Sequence, residues 1–274
     1  MREYKVKTIR ALERGLDVLA YMHHARAATL HELHQATELP KATLTRIIST
    51  LEKRGLIWQR LADGAYIASN SIFSGMQQVS NESYIIEAAS PVLSRLCDKI
   101  KWPSVLSVPR LDHMAVVETN TSKSYFSHIL KGQLNFRINM LKSASGRAYL
   151  AFCTEPEREA ILQRLRDSKE PGNFISRNNK LVNNLIKETQ LLGYGLRTDD
   201  FGGDLNEPRN MMDDKRLSIA VPIQDGKDVI AVINITWNRE VRSLDEIIED
   251  HLTDLLKASK EISDTLQMNL ISIN

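Results

Sequence analysis

The chain has 274 residues, of which 42% are hydrophobic and 26% are charged, and its formal net charge is +2. These values are those of an ordinary soluble globular protein with room for two domains. No apolar run approaches the ~18 residues of a membrane span, and the charged N-terminus lacks the apolar core of a signal peptide, so we predict a cytoplasmic protein without a membrane segment.

Positive charge is concentrated in the N-terminal part of the chain. Residues 1–70 hold 11 Lys and Arg against 7 Asp and Glu, a net charge of +4, whereas the remainder holds 25 against 27, a net charge of −2. A small excess of this kind is also common on a solvated surface. The charge distribution therefore supports a nucleic-acid partner without establishing one.

Three short helices and a hairpin are predicted in the N-terminal domain, residues 1–70. Apolar residues at helical spacing predict the first helix over residues 8–25. A Thr-x-x-Glu capping box begins the second helix, residues 29–37, and a proline at the first helical position begins the third, residues 40–54. Two extended runs around Asp63-Gly64 predict a hairpin. This order is typical of a winged helix-turn-helix that binds DNA.

The rest of the chain predicts a linker helix and a larger α+β domain. Residues 71–82 carry a narrow apolar stripe, which either leans on its own domain or meets a partner subunit. Residues 83–274 alternate helices with short strands, and the runs 217–223 and 229–236 flank a turn with the pattern of a hairpin. A long amphipathic helix follows from residue 244. We therefore expect an antiparallel sheet with helices covering one face.

The third helix carries the candidate DNA contacts. Arg46 lies opposite the apolar stripe and is the first candidate for base recognition, because a guanidinium pairs bidentately with guanine. Lys41, Thr43 and Thr45 are the next candidates. Arg60, at the base of the wing, is placed to contact a phosphate. For any one of these residues taken alone, a merely solvated helix face is the simpler interpretation.

The segment TLHELHQATELPKATLTRIISTLEKRGLIWQRLADGAYIAS resembles the N-terminal module of IclR-type regulators. It matches the family pattern at Leu39, Pro40, Lys41, Thr43, Arg46, Leu51 and Gly55. It departs at Ala42, where the family often has serine, which puts one DNA contact in doubt. The resemblance extends over nearly the whole chain, and LKSASGRAYLAFC is similar to the branch that regulates hydroxyphenylpropionate and related aromatic-acid catabolism. It implies a GAF-like sensor domain for residues 83–274.

A cluster of small residues marks a candidate effector site at a predicted helix start: Ser143, Ala144, Ser145 and Gly146. Small residues there leave backbone N–H groups uncovered, and the helix dipole favours an anion. The alternative is that Ser143 caps the helix and Gly146 only permits close packing. The family resemblance favours the effector site.

The resemblance also implies that the effector pocket includes inward-facing residues of the late strands, which correspond to Ser218, Asn234 and Thr236. Asn234 and Thr236 interrupt an apolar run at alternate positions, so both point to one face. They are either satisfied by neighbouring backbone groups or supply the polar groups of a pocket. Arg137 is a further candidate for a ligand carboxylate, although a surface position is the simpler interpretation.

The predicted function is a ligand-controlled transcriptional regulator. Its partners would be double-stranded promoter DNA, a small aromatic or other organic acid, a second copy in a homodimer or dimer of dimers, and RNA polymerase. We expect no catalytic residues, cofactor or metal. In His31-Glu32-Leu33-His34 the histidines are three residues apart, one residue short of the His-Glu-x-x-His spacing of a zinc-protease signature, so we predict no metal site there. The remaining alternative is a DNA-anchored dimeric scaffold without an effector.

Overall fold

The computed structural model describes residues 8–25, 27–69, 81–124, 133–202 and 213–271. The chain divides into two compact units, residues 1–87 and 88–274. Of the predicted linker helix, residues 71–80 lie outside the described residues, and residues 81 and 82 form the first turn of another helix.

The N-terminal unit consists of three helices and a short hairpin. The elements are α1 (Arg10–Ala25), α2 (Leu30–Thr37), α3 (Lys41–Lys53), β1 (Ile57–Gln59) and β2 (Tyr66–Ala68). The capping box is present, since the Thr29 side chain accepts from the Glu32 amide and the Glu32 carboxylate accepts from the Thr29 amide. Pro40 is the residue before α3 rather than its first helical residue. The predicted order of elements is thus confirmed.

One apolar core holds these elements together. It is formed by Val18, Met22, Ala28, Leu33, Leu44, Ile48, Leu51 and Ile57. Each helix contributes the residues of one face, as the helical spacing of the sequence predicts. Because α3 buries only this stripe, its opposite side remains exposed to solvent.

A helix spanning both units, α4 (Asn81–Ile100), leads into the larger unit. The strands that follow are β3 (Val105–Pro109), β4 (His113–Thr119), β5 (Arg137–Asn139), β6 (Gly195–Leu196), β7 (Arg216–Asp225) and β8 (Asp228–Asn238). They form one antiparallel sheet in the order β5-β4-β3-β8-β7-β6. The two-residue strand β6 was not predicted, because two residues are too few to display a period.

The remaining helices of this unit flank the sheet. They are α5 (Ala144–Phe152), α6 (Glu155–Asp167), α7 (Asn179–Leu192), α8 (Leu244–Ile247) and α9 (Thr253–Ile271). The predicted long last helix is interrupted by a π-helical turn over Ile248–Leu252. None of the helices within the described ranges is both long and apolar enough to cross a bilayer.

Helices cover both faces of the sheet rather than one. The consecutive residues Ile219, Ala220 and Val221 of β7 are all fully buried, although neighbours along a strand point to opposite faces. Ala220 and Val232 pack in one apolar cluster with Ala144 and Ala148 of α5, which places α5 on their face. Helix α9 packs against β7 and β8 and is joined to α4 by ion pairs. The unbroken apolar runs of β7 and β8 are typical of strands buried on both sides.

Candidate functional site

The exposed side of α3 presents the predicted DNA-contacting residues. Lys41, Thr45 and Arg46 are exposed, and Thr43 is half-buried. The Thr45 hydroxyl donates to the Lys41 carbonyl at 2.9 Å, so its donor is used within the helix. Among the described residues, neither Lys41 nor Arg46 has an ion pair with a carboxylate. Their charges are therefore available to a polyanion.

Arg60 has a partner within the wing. Its Nε lies 2.9 Å from Asp63 Oδ1 and its Nη2 lies 2.5 Å from Asp63 Oδ2. The Arg60 hydrogen bond is the largest cause of a pKa for Asp63 below its ordinary value. Asp63 also accepts from the Ala65 amide, so this pair stabilises the turn of the hairpin. A phosphate contact by Arg60 would have to compete with, or add to, this pair.

The start of α5 is capped as the structural alternative predicts. Ser143 Oγ accepts from the Gly146 amide at 2.9 Å and donates to the Asn139 carbonyl at 2.6 Å. Gly146 packs against the backbone of Met140, and an added Cβ would lie 2.4 Å from the Met140 Cα. Ser143 and Gly146 therefore have structural tasks, whatever else binds there.

Two amides in the first turn of α5 remain open. Neither the Ala144 N–H nor the Ser145 N–H has a hydrogen-bond acceptor within the described ranges, and both residues are 2% exposed. The first N–H groups of a helix have no acceptor inside it and carry the positive end of its dipole. This end of α5 is a suitable position for a carboxylate.

The three predicted strand residues lie together and are hydrogen bonded to one another. Ser218 and Thr236 are cross-strand neighbours whose hydroxyl oxygens are 3.0 Å apart. Asn234 Nδ2 donates to Thr236 Oγ1 at 3.4 Å, and Asn234 Oδ1 accepts from the Val105 amide at 2.8 Å. One hydroxyl proton of the Ser218–Thr236 pair and one of the amide protons of Asn234 are left without an acceptor among the described residues.

This polar row lies on the same sheet face as α5. Ser218 is two residues from Ala220, and Asn234 is two residues from Val232, so all four side chains leave the same face. Ala220 and Val232 pack against α5 on that face. Strand β6 approaches α5 so closely that a Cβ on Gly195 would lie 2.2 Å from the Ala144 carbonyl oxygen. The helix start and the strand residues thus form one candidate site.

Arg137 lies outside this site. It lies on the edge strand β5, its side chain is half exposed, and its Nη2 is 3.5 Å from Asp112 Oδ2. Its neighbours along the sheet are residues of β4, whereas Ser218 and Thr236 lie on β7 and β8. This position agrees better with the alternative interpretation, in which Arg137 is a surface residue that does not bind the ligand.

Two arginines that were not predicted from the sequence, Arg197 and Arg216, lie closer to the site. Arg197 donates its amide to the Ser218 carbonyl, and its guanidinium is buried against Asp214 at 2.9 Å. Arg216 precedes Ser218 by two residues on β7, so it leaves the same face, and desolvation is the main cause of its lowered pKa. The two-residue spacing of Arg216 and Ser218 could have been recognised from the sequence. The position of Arg197 could not, because it depends on the pairing of β6 with β7.

Thr119 was also missed. Val105 pairs with Thr119 on one side and its amide binds Asn234 on the other, so Thr119 continues the polar row across β3. A β-bulge between Leu106 and Ser107 changes the register of β3 against β4. A bulge reverses the faces of the residues that follow it, so regular alternation assigns Thr119 to the wrong face.

Both cysteine thiols are buried. Burial raises the pKa of the Cys97 thiol and raises that of the Cys153 thiol to about 11. A thiol with a raised pKa is a poor nucleophile and a poor metal ligand at neutral pH. His, Cys, Asp and Glu residues form no group of three or more with metal-binding geometry in the part of the chain that the structure describes.

Two family models cover most of the chain. Residues 11–60 match the IclR helix-turn-helix domain, and residues 77–264 match the bacterial transcriptional regulator IclR C-terminal domain. The chain belongs to the IclR family of transcriptional regulators. Its α+β fold is accordingly a DNA-binding helix-turn-helix domain followed by the GAF-like effector-binding domain of that family.

Sequence comparison identifies distant IclR-family relatives. The HTH-type transcriptional regulator BhcR of Paracoccus denitrificans is 24% identical over 196 residues, which cover 70% of this chain and 68% of that protein. Across four curated relatives, named as transcriptional regulators or repressors, the aligned part spans 57% to 68% of their length. At 21% to 27% identity these relatives agree with the family that the two models establish, and they identify no particular operator or effector.

Solved IclR structures share the fold. The IclR of Thermotoga maritima has a TM-score of 0.53 at 18% identity and covers 94% of this chain and 99% of that one. An IclR homolog from Microbacterium hydrocarbonoxydans complexed with 4-hydroxybenzoate has a TM-score of 0.52 at 19% identity, with the same coverage of 94% and 99%. At this identity the likeness concerns the fold alone.

Proposed function

We propose that this IclR-family regulator binds a small organic acid, with an aromatic acid as the favoured class, and that the acid controls its affinity for promoter DNA. The observation that carries the proposal is the pair of open, buried amides of Ala144 and Ser145, at the start of a helix that lies on the same sheet face as the Ser218–Thr236 hydroxyl pair. A carboxylate accepts strong hydrogen bonds from amides and hydroxyls, and the dipole of α5 adds favourable charge.

The aromatic class rests on two supports. The face around the polar row is apolar, with Ala144, Ala148, Ala220 and Val232 all buried there, and such a surface suits an aromatic ring. The Microbacterium relative was solved with 4-hydroxybenzoate, which makes that acid the first probe to use. Arg216 is proposed to add positive charge at the site, a role for which the sequence offered Arg137 as a candidate beside the alternative of a surface position.

The proposed DNA contacts are Lys41, Thr43, Thr45 and Arg46, with Arg60 on the wing. In this assignment Arg46 contacts base edges in the major groove, and Lys41 contacts phosphates. Residues 1–70 would form the DNA-binding domain, residues 71–82 the linker helix, and residues 83–274 the effector-binding and oligomerisation domain. The proposal includes a cytoplasmic location, where the promoter lies, and a contact with RNA polymerase at that promoter.

The proposed assembly is a homodimer or a dimer of dimers. Ile9, directly before α1, and Leu12 and Leu16 of α1 are more than half exposed and follow one another at helical spacing. Charged residues of both signs lie around this stripe: Arg10, Glu13, Arg14 and Asp17. If two copies of α1 pack antiparallel, positive and negative side chains therefore face each other across the interface. We therefore propose a second copy as the partner of α1, which places two α3 helices on successive half-sites.

Calorimetric titration of the full chain with 4-hydroxybenzoate tests the effector site, with the neutral 4-hydroxybenzyl alcohol as the matched ligand. We expect the acid to bind and the alcohol to bind at least about tenfold more weakly, because the open amides favour an anion. Thr236→Val should weaken acid binding roughly fivefold, the value of one lost hydrogen bond. Thr265→Val on α9 is the control, since its hydroxyl donates only to Glu261 of its own helix.

The DNA arm uses fragments selected by the protein from a random-sequence duplex pool. A bound acid that changes the dissociation constant for the selected fragment supports the regulator. Absence of binding by a broad panel of aromatic and aliphatic acids, together with retained DNA binding, would instead support the scaffold without an effector.

A further inference from the structure

The chain that follows strand β6 adds an arginine to the candidate effector site. Gly195 pairs with Ala220, and the Arg197 amide donates to the Ser218 carbonyl at 3.1 Å, so Arg197 lies opposite Ser218 in the same register. Residues that lie opposite each other in an antiparallel pair point to the same face of the sheet. Arg197 therefore joins Ser218 and Thr236 in one row of side chains that crosses the sheet.

The start of α5 lies over the residue that follows Arg197. The Lys142 carbonyl, two residues before α5, accepts from the Thr198 amide at 2.9 Å. The Ala144 carbonyl lies further back, next to the Cβ position of Gly195. The N–H groups of a first helical turn point out of the helix towards its N-terminus. The open amides of α5 are therefore directed towards the end of the sheet where Arg197 lies.

A second arginine lies further along the same face. Arg216 precedes Ser218 by two residues on β7, so both side chains leave one face of the strand. Asp214 contacts both guanidinium groups, because its Oδ2 lies 2.9 Å from Arg197 Nη2 and 3.9 Å from Arg216 Nε. These three side chains are at most 16% exposed. Together they place two positive charges and one negative charge in a largely buried position.

Positive charge is also poorly screened by water at this end of the site. Desolvation is the main cause of the lowered pKa of Arg216. The attraction between opposite charges is stronger where water is excluded than at an exposed position. Two nearby surface cations have acidic partners of their own, since Lys215 pairs with Glu240 and Arg239 with Asp213. An anionic group that reaches Arg216 is therefore held more strongly than it would be at these surface cations.

We infer that the effector is a dicarboxylic acid, with one carboxylate on the open amides of α5 and the other on Arg216, which Asp214 and Arg197 hold in place. This inference rests on the proposed function and narrows its ligand class. Ala220, which packs with α5, is four residues from Arg216, or about 13 Å along the strand at ~3.4 Å per residue. The length of the arginine side chain shortens this span, so carboxylates at opposite ends of one aromatic ring fit it.

Calorimetric titration of the full chain with terephthalate and with its monomethyl ester tests the second position. The two ligands share the ring and one carboxylate and differ by one negative charge at the para position. We expect terephthalate to bind at least about tenfold more tightly than the ester, the usual effect of a hydrogen bond between charged groups. Phthalate, whose carboxylates are adjacent on the ring, should bind no more tightly than the ester, because it cannot reach both positions.

Variants of Arg216 separate recognition from stability. Arg216→Gln should lower the ratio of the two dissociation constants, ester to terephthalate, from about tenfold to about twofold, because glutamine keeps polar atoms without the charge. Arg216→Lys keeps the charge and should retain most of the preference. The matched control is Arg239→Gln, which removes a surface arginine paired with Asp213 and should leave the ratio unchanged. A purely structural role of Arg216 would weaken both ligands alike and would not change the ratio.

The outcomes for the dicarboxylate and for the proposed function are distinct. Terephthalate that binds the wild type no more tightly than its ester, or does not bind at all, overturns the inference, and so does an unchanged ratio in a folded Arg216→Gln protein. In each of these cases binding of 4-hydroxybenzoate, which has a single carboxylate, still supports the proposed function. If neither that acid nor terephthalate and its ester bind, the inference fails together with the aromatic effector on which it rests.

Discussion

Gly146 and Met140 approach so closely that no side chain fits between them. A Cβ on Gly146 would lie 2.4 Å from both the Cα and the carbonyl oxygen of Met140. Both of these atoms belong to the backbone, so neither can move aside as a flexible side chain would. The glycine therefore allows the first turn of α5 to pack directly against the Met140 backbone. This close contact determines where the open amides of Ala144 and Ser145 lie.

Gly146→Ala is expected to destabilise the larger unit by about 1–3 kcal/mol, the usual effect of overpacking a close contact. Urea denaturation followed by circular dichroism measures the change. The matched control is Gly15→Ala in α1, where an added Cβ meets nothing within 4 Å and helix propensity alone favours alanine. A Gly146→Ala protein as stable as wild type would contradict the geometry.

Arg46→Ala is expected to weaken binding to a selected DNA fragment by roughly 10-fold to 100-fold, the effect of one lost bidentate base contact. Fold and effector binding should be intact, because Arg46 is exposed and makes no ion pair among the described residues. Fluorescence anisotropy with a labelled duplex measures the change. Lys257→Ala on α9 removes an exposed positive charge outside the DNA-binding domain and should have a smaller effect; equal effects would remove Arg46 as the base-reading residue.

Lys41→Ala should act differently, since a phosphate contact carries no sequence information. We expect weaker binding to all duplexes alike and a decrease of about one in the slope of log affinity against log salt. Titrations at several salt concentrations give that slope. An unchanged slope would show that Lys41 does not contact a phosphate.

Asp63→Asn should destabilise the N-terminal unit in a pH-dependent way. The Arg60 hydrogen bond holds the pKa of Asp63 below its ordinary value of 3.8, so its contribution to stability is present above that value and is lost as the pH falls through the lowered folded value. Stability curves of wild type and variant should therefore differ at neutral pH and converge in acid. Asp17→Asn on α1 is a suitable control, and a difference that persists below both pKa values would contradict the pair's role.

Asn234→Leu is expected to weaken effector binding while leaving DNA binding without effector intact. Asn234 also accepts the Val105 amide, so the variant should be less stable as well, by about 1–3 kcal/mol for an orphaned buried donor. Ser218→Ala is the cleaner companion, because Ser218 is hydrogen bonded through its side chain to Thr236 alone. Unaltered calorimetric titration of both variants with 4-hydroxybenzoate would remove the strand residues from the site.

Local signals in the sequence were sufficient for the helix-turn-helix elements. A capping box at Thr29, a proline before α3 and a glycine with positive φ at position 64 act over a few residues, so they can be interpreted without tertiary context. Exposure of Arg46 followed from the apolar stripe on the same helix. The ion pair between Arg60 and Asp63 was not predicted, although the two residues are only three positions apart, because many pairs at this spacing in a turn never form.

Only the tertiary structure decided how the candidate effector site is composed. The sequence indicated the start of α5 and the alternation of Asn234 with Thr236, but the pairing of β6 with β7 placed Arg197 beside Ser218. The bulge in β3 and β4 turned Thr119 towards the site and Glu118 towards α4. Strand register depends on contacts between residues far apart in the chain, and a shift of one residue exchanges the two faces, so no local pattern contains it.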